Sequence, residues 1–224
     1  MSRILLYVAY HNEDAYREAR RVEEHLKPMA TCVLVKTPKT FFFENILWYM
    51  LQTVDISQWD YIGVIPYKYL LKSLTGGLLP GIPSSFEGDC LAFLSLLNEP
   101  LFYQNAWTSH DDAFFEIWDA LLERVAPGCD KRMPITVPTV YCSAFALKSV
   151  IFKDWLNFIM KCFDHVDLLN RPLRYGGVLT PDQLVSMGCK DGKYAALTFM
   201  SERLITWWLQ SRNHSVQVLS ILRT

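Results

Sequence analysis

The stretch ILLYVAY, Ile4–Tyr10, decides the fold of this 224-residue chain. Its apolar residues are continuous rather than alternating, which predicts a β-strand buried on both faces. The run YIGVIP, Tyr61–Pro66, has the same character. Between them the sequence predicts a helix over Ala15–Leu26, a short strand over Cys32–Lys36 and a second helix over Glu44–Val54. This β-α-β-α-β order predicts a parallel sheet with right-handed crossovers.

The remainder of the chain predicts further strands and helices. The predicted strands are Leu91–Leu97, Thr139–Leu147 and Val216–Leu222, and the predicted helices are Asp111–Val125, Ile151–Phe163 and Ser201–Gln210. No long stretch rich in Pro, Gly, Ser or charge offers a linker between domains. We therefore expect residues 1–224 to form a single α/β domain with a mostly parallel central sheet flanked by helices.

Composition narrows the class of protein. The apolar fraction of 51% and the charged fraction of 20% predict a large core and argue against disorder. The formal net charge of −1 provides no global attraction to nucleic acid or to an anionic membrane. No apolar run approaches the ~20 residues that span a bilayer, so we expect no transmembrane segment. The first apolar run is followed at once by charges, as in a strand and unlike a secretory signal.

The cysteines bear on the cellular compartment. There are six of them, with no C-x-x-C pair and no spacing typical of a zinc site: Cys32, Cys90, Cys129, Cys142, Cys162 and Cys189. An even count leaves disulfides as an alternative. Without a secretory signal, free thiols in a reducing compartment are favoured, which predicts a cytoplasmic protein.

Ligands of open parallel sheets bind beyond the carboxyl ends of the strands. Three segments of this chain follow predicted strands in that way. They are Tyr10-His11-Asn12 after the first strand, Lys36 with Thr37–Lys39 after the second, and Tyr67-Lys68 after the third. Together they offer aromatic faces for stacking, amide and imidazole groups for hydrogen bonds, and cations for phosphate. The pattern predicts a pocket for a nucleoside diphosphate, although a lone histidine such as His11 is also an ordinary structural hydrogen-bonding residue.

Several common sites are absent from the sequence. It contains no G-x-x-x-x-G-K-[ST] phosphate loop and no G-x-G-x-x-G after the first strand. It also contains no G-x-S-x-G nucleophile elbow. These absences disfavour P-loop NTPases, dinucleotide-dependent dehydrogenases and α/β-hydrolases.

Four blocks of sequence resemble glycosyltransferases of the GT-A fold, including capsule and lipopolysaccharide transferases and the glycosyltransferase domains of chlorella viruses. The blocks are YVAYHNED (Tyr7–Asp14), WDYIGVIPYKYLL (Trp59–Leu71), YCSAFALKSVIFKDWLNFI (Tyr141–Ile159) and YAALTFMSERLITWWL (Tyr194–Leu209). They occur in the family's order and span nearly the whole chain. The resemblance implies one GT-A-like, Rossmann-like domain. It implies transfer of a hexose or deoxyhexose from a nucleoside diphosphate sugar, with UDP expected first, to a glycan hydroxyl.

The chain departs from this family at the motif that holds a metal. Where the family has Asp-x-Asp after the central strand, this chain has Pro66-Tyr67-Lys68, and no Asp-x-Asp occurs anywhere. We hypothesise that Lys68, together with Lys72, neutralises the leaving diphosphate in place of a divalent cation. The alternative is that Lys68 is an ordinary solvated lysine. Mn²⁺ or Mg²⁺ stays open as a cofactor, because Glu87-Gly88-Asp89 and His110-Asp111-Asp112 also carry carboxylates.

The candidate catalytic residues are acidic. In the resembling family an acidic residue near a helix start often takes the proton of the acceptor hydroxyl, which makes Glu202 a candidate base and Arg203 a candidate diphosphate contact. Asp111 and Asp112 are candidates for a base or for metal ligands. For all of them the alternative is helix capping or charge compensation at a helix start.

Three functional interpretations therefore remain open. The first is the glycosyltransferase. The second is a non-catalytic module of the same fold that binds a nucleotide sugar or a protein, which the missing Asp-x-Asp favours. The third is a different α/β enzyme, such as a phosphoesterase built on His110-Asp111-Asp112. The pair Trp207-Trp208 is most simply core, with one ring as a candidate wall of an acceptor groove.

Overall fold

The computed structural model describes residues 2–38, 46–71, 85–96, 113–132, 140, 143–169, 171–174, 193–219 and 221–222. The strands within these ranges are β1 (Ile4–Tyr10), β2 (Thr31–Lys36), β3 (Tyr61–Pro66), β4 (Cys90–Ala92), β5 (Ser95–Leu96), β6 (Phe145–Lys148), β7 (Pro172–Arg174), β8 (Lys193–Ala195), β9 (Val216–Val218) and β10 (Ile221–Leu222). The helices are α1 (Glu13–Leu26), α2 (Ile46–Leu51), α3 (Ala113–Val125), α4 (Ser149–Phe163), α5 (Val166–Leu169) and α6 (Leu197–Ser211).

Six strands form the central sheet in the order β2-β1-β3-β6-β4-β9. Strand β1 is parallel to both β2 and β3, and β9 is parallel to β4. Strand β6 is antiparallel to its neighbours β3 and β4. The protein is therefore an α/β fold with a mixed, mostly parallel sheet flanked by helices, which confirms the predicted class at that level.

The two faces of the sheet carry separate cores. Leu5, Tyr7 and Ala9 of β1 belong to a cluster shared with helices α2, α3, α4, α5 and α6. The alternate residues of β1, Ile4, Leu6 and Val8, belong to a second cluster shared with helix α1. Because successive side chains of a strand point to opposite faces, α1 covers one face and the other five helices cover the opposite one. This explains why the β1 sequence is continuously apolar.

The first half of the predicted elements agrees well with the structure, and the second half needs corrections. Strands β1 and β3 have the predicted bounds, and α1 begins two residues earlier than the predicted Ala15. The single strand predicted over Leu91–Leu97 is wrong, because the chain bends after β4 and its continuation β5 pairs with β10 in a separate sheet. The strand predicted over Val216–Leu222 is divided between β9 and β10 in the same way.

Two further predicted boundaries are wrong for backbone reasons. Within the described part of the strand predicted over Thr139–Leu147, β6 begins at Phe145, because Ser143 has a left-handed conformation with φ of 52° that an extended strand does not tolerate. The helix predicted from Ser201 begins at Leu197. Glu202 therefore lies in the second turn of α6 and not at a helix start. Neither the expected position of a base near a helix start nor the alternative of charge compensation at a helix start describes it.

The described cysteines are free thiols, and the tryptophan pair belongs to the core. Among the described residues, Cys32, Cys90, Cys129 and Cys162 are free thiols, as predicted, whereas Cys142 and Cys189 lie outside the described ranges. Trp207 and Trp208 are both buried in the core, so neither ring is available to an acceptor groove. Among the described residues, no helix combines the length and apolarity that crossing a bilayer requires.

A polar latch joins three strands at the edge where the parallel strands begin. The Asp89 carboxylate accepts a hydrogen bond at 3.0 Å from both the backbone NH and the hydroxyl of Ser215, and it lies 3.1 Å from the Lys148 ammonium. The imidazole of His214 lies 3.8 Å from the same carboxylate. Burial alone would raise the pKa of Asp89, but the hydrogen bonds from Ser215 and Lys148 outweigh it and hold this pKa below its ordinary value. The latch ties β9 to β4 and β6.

We expect Asp89→Asn to lower the free energy of unfolding by about 2 kcal/mol at pH 7, the size of a charge-assisted hydrogen bond. Because the native pKa of Asp89 is lowered, this stabilisation is complete above the unfolded pKa of about 4 and disappears as the pH falls through the native value. Urea denaturation at pH 7 and at about pH 3 measures both values. The exposed Asp154→Asn is the control, with an expected change within about 0.5 kcal/mol. An equal effect of Asp89→Asn at both pH values would contradict the role of its charge.

Candidate functional site

The ends of β1 and β3 bring two of the predicted segments together. The strands are parallel neighbours, with Ala9 opposite Pro66, so the residues that follow them emerge side by side. A cleft of about 670 Å³ opens there, and His11, Asn12, Tyr67 and Lys68 all line it. The remaining lining residues come from the first turns of helix α1, and they are Asp14, Ala15, Arg17, Glu18 and Arg21. The structure thus brings two of the three predicted strand ends to one cleft, and the use of this cleft as a nucleoside diphosphate pocket stays a prediction.

The aromatic wall of the cleft is formed by His11 and Tyr67. Their ring centroids lie 5.5 Å apart in an edge-to-face arrangement with an interplanar angle of 72°. The Lys68 ammonium lies 5.6 Å from the centroid of the Tyr67 ring, and Lys68 itself is exposed. A planar ligand has an aromatic surface here, with a cation one residue away.

Tyr10, Lys36 and Thr37 lie at the same sheet edge without lining the cleft. The Tyr10 ring packs against Tyr16 of α1 with centroids 5.0 Å apart. The Thr37 backbone NH donates a 2.8 Å hydrogen bond to the Tyr10 carbonyl oxygen, and the Thr37 hydroxyl donates to the same oxygen at 3.3 Å. Lys36 is exposed and pairs with Tyr10 in the sheet register. These residues hold the end of β1 in place, and ligand binding by Tyr10 and Lys36 stays a prediction.

Asn12 has a structural task at the mouth of the cleft. Its side-chain oxygen accepts a 2.8 Å hydrogen bond from the Ala15 backbone NH and so caps helix α1. The cap explains why the chain turns directly from strand into helix after His11. The side-chain NH₂ group takes no part in this bond and is the atom group through which Asn12 would contact a ligand.

We expect Asn12→Ala to lower the free energy of unfolding by about 1 kcal/mol, because the cap is lost. Asn12→Asp keeps a capping oxygen and adds negative charge to the cleft. It should preserve the melting temperature and weaken the binding of an anionic ligand. Thermal melts, together with UDP titrations of both variants, measure these effects. A large loss of stability in Asn12→Asp would show that capping alone does not describe this residue.

Two arginines of helix α1, Arg17 and Arg21, also line the cleft. Arg17 and Arg21 are four residues apart on α1 and therefore lie on the same helix face. Each is paired with a carboxylate one turn earlier, Arg17 with Asp14 at 3.7 Å and Arg21 with Glu18 at 3.0 Å. Sequence reasoning missed them because alternating charges on a helix are typical of a solvated face. The adjacent predicted pocket was the signal that would have singled them out.

Comparisons with known proteins add no family. No protein-family model matches the chain, and searches of curated proteins and of solved structures find no match.

The described residues of the cleft do not form a site for a divalent cation. Such a cation binds several oxygen ligands, often carboxylates, but Asp14 and Glu18, the carboxylates among the described lining residues, are paired with arginines. Among the residues that the structure describes, no group of three or more His, Cys, Asp or Glu side chains is placed to hold a metal. The alternative pair Glu87 and Asp89 lies at the opposite edge of the sheet, where Asp89 forms the latch.

Two other predicted site residues that the structure describes, Glu202 and Arg203, do not line the cleft. Glu202 and Arg203 lie on α6, which packs on the sheet face opposite to α1. Arg203 is only 4% exposed, and its guanidinium lies 5.3 Å from the centroid of the Phe114 ring. Their functional roles stay predictions. Lys72, Asp111 and Asp112 lie outside the described residues.

A second pocket lies at the opposite edge of the sheet. It has a volume of about 460 Å³ and is lined by residues before β3 and at the start of α4, among them Asp55, Ser57, Ser149 and Lys153. The Asp55 carboxylate accepts a 3.0 Å hydrogen bond from the Ser57 backbone NH. Because strand β3 begins near this pocket and ends at the first cleft, the two pockets are distinct sites.

Proposed function

We propose that this chain is a glycosyltransferase that moves a hexose or deoxyhexose from a nucleoside diphosphate sugar, with UDP as the first candidate, to a hydroxyl group of a glycan. The observation that carries the proposal is the convergence of His11-Asn12 and Tyr67-Lys68 on one cleft of about 670 Å³. Its size suits a small ligand, because ligand pockets measure roughly 300–1,000 Å³. The sequence resemblance to GT-A-fold transferases supports the same reaction.

The chemistry of the lining residues fits the parts of such a donor. The His11 and Tyr67 rings provide a surface for the base, and Asn12 provides an amide for its polar edge. Lys68, Arg17 and Arg21 provide positive charge for the diphosphate. Among the described lining residues, Asp14 and Glu18 are the carboxylates that oppose this charge.

The reaction needs little from the protein beyond positioning and charge. The acceptor oxygen forms a bond to the anomeric carbon, and the bond from that carbon to the diphosphate oxygen breaks. The electron pair of the broken bond stays on the diphosphate, whose added negative charge the cations stabilise. The acceptor proton passes to a general base, for which Asp111 and Asp112 are the remaining predicted candidates, because Glu202 lies on the sheet face opposite to α1.

The direct test is a donor panel. The full chain is incubated with UDP- and GDP-linked sugars, in EDTA or with Mn²⁺, with and without simple sugar acceptors, and released nucleoside diphosphate is measured. We expect release of UDP from at least one UDP-sugar, in EDTA as well as with Mn²⁺, because the cleft supplies its own cations. If the chain neither binds nor turns over any donor in the panel, the proposal is overturned.

A second candidate function is a non-catalytic module that binds nucleotide sugars. The observation that favours it is the pairing of Asp14 and Glu18 with arginines, which leaves the cleft without a carboxylate disposed to act as a base among the described residues. The same panel separates the two functions. A transferase releases nucleoside diphosphate slowly even without an acceptor, whereas a binding module retains the intact donor.

A further inference from the structure

We infer that the diphosphate-binding wall of the cleft is the α1 face that carries Arg17 and Arg21, and that these two arginines exchange their intrahelical partners for the ligand when it binds. The inference rests on the proposed function for the identity of the ligand as a diphosphate. It adds the residues that bind the diphosphate and a charge switch that sets their affinity. In this inference the cations that bind the diphosphate lie on one face of helix α1, whereas the family pattern places a metal ion after the central strand.

The geometry of α1 supports this wall. Residues four apart on a helix lie one above the other on the same face, about 6 Å apart along the axis. Arg17 and Arg21 have that spacing and both line the cleft, with Lys68 among the lining residues that follow β3. A ligand seated between α1 and the Tyr67-Lys68 turn therefore meets cations on two sides. A group with two phosphates is long enough to meet both arginines, and a single phosphate is not expected to engage both.

The present partners of the arginines are weakly held. The Arg17 and Arg21 side chains are 70% and 67% exposed, and each pairs with its carboxylate at three-residue spacing. Exposed pairs of this kind contribute little, because water and salt screen them. A phosphate offers the guanidinium a bidentate partner with more negative charge. Exchange of partner is therefore favourable, and Asp14 and Glu18 act as competitors of the ligand.

The competition predicts opposite effects from neighbouring residues. Removing an arginine should weaken diphosphate binding, whereas removing its carboxylate partner should strengthen it. A purely structural role for the ion pairs predicts the same effect from both substitutions, since each breaks the same pair. The sign of the change therefore distinguishes a ligand-binding wall from a stabilising surface pair.

The experiment measures Kd by calorimetry in EDTA for uridine, UMP, UDP and inorganic pyrophosphate, using the full chain. We expect Arg17→Ala and Arg21→Ala each to raise the Kd for UDP about tenfold, the effect of one charge-assisted hydrogen bond, with a smaller effect on UMP and none on uridine. Glu18→Gln should lower the Kd for UDP by about threefold. If the diphosphate alone is recognised, the arginine substitutions should raise the Kd for pyrophosphate as they raise the Kd for UDP. If pyrophosphate binds elsewhere, its Kd should not depend on the arginines.

The matched control is Arg20→Ala with Glu23→Gln. These residues form an ion pair on the same helix and do not line the cleft, so both substitutions should leave the Kd for UDP unchanged. Unchanged UDP affinity in Arg17→Ala and Arg21→Ala, or no binding of UDP and pyrophosphate to the unmodified chain, would overturn the inference. Arginine-dependent UDP binding without turnover of any nucleotide sugar would instead refute the transferase and leave the diphosphate wall intact. Turnover that is insensitive to both arginines would refute only the wall.

Discussion

Replacing Gly63 with alanine is expected to lower the free energy of unfolding by about 3 kcal/mol or more, and the melting temperature by about 10 °C. Gly63 lies in β3, and a Cβ added there would overlap the Phe145 carbonyl oxygen and lie 2.5 Å from the Cα of Ala146. Both atoms belong to the backbone of the neighbouring strand β6, so no side chain can rotate to make room. The strands would have to separate at the centre of the sheet.

Thermal melts followed by circular dichroism measure this effect. The control is Gly128→Ala, because a Cβ added to Gly128 would meet no described atom within 4 Å. The backbone at Gly128 has a positive φ of 79°, so alanine is strained there without any steric overlap. Its cost is the conformational one alone, about 1 kcal/mol. A Gly63→Ala protein that melts within about 2 °C of the unmodified chain would show that the backbones of β3 and β6 lie farther apart at this position.

Replacing Lys68 with alanine is expected to lower turnover of the nucleotide sugar about 100-fold. Lys68 lines the cleft and lies two residues after the end of β3 at Pro66. If its ammonium neutralises the leaving diphosphate, its removal costs as much as the loss of one electrostatic contact to a developing anion, which is on the order of 100-fold in kcat. Lys68→Arg should restore part of the rate, because it restores the charge with a different shape.

The measurement is kcat for UDP release in EDTA, with the Kd for UDP as a second readout. Lys27→Ala is the matched control, since Lys27 is exposed at the end of α1 and does not line the cleft. Lys68→Ala with turnover and UDP affinity close to those of the unmodified chain would return Lys68 to the role of a solvated lysine. In that case Arg17 and Arg21 would be the remaining cations among the described lining residues of the cleft.

The sequence was most informative where local and long-range signals agree. The apolar runs of β1 and β3 need burial on both faces, and only the centre of a sheet covered by helices supplies it. Helix α1 has an apolar stripe through Ala15, Ala19 and Val22 and a capping Asn12 before it. These signals fix two adjacent parallel strands and the crossover between β1 and β2, and with them the position of the cleft.

The remaining features depend on contacts that no local pattern encodes. The division of the predicted Leu91–Leu97 strand follows from the pairing of β5 with β10, more than 120 residues later in the chain. The antiparallel direction of β6 is seen only in its pairing with β3 and β4, which lie more than 50 residues earlier in the chain. The local sequence around Glu202 is typical of a helix start, but α6 begins five residues earlier, at Leu197. The arginines of α1 line a cleft only because the Tyr67-Lys68 turn lies next to them.

The most direct test of the account is a crystal structure of the full chain with UDP in EDTA. We expect the diphosphate between Lys68 and the two arginines of α1, with the base against the rings of His11 and Tyr67. UDP in the pocket lined by Asp55, Ser57 and Lys153, or a cleft that stays empty at saturating UDP, would contradict it.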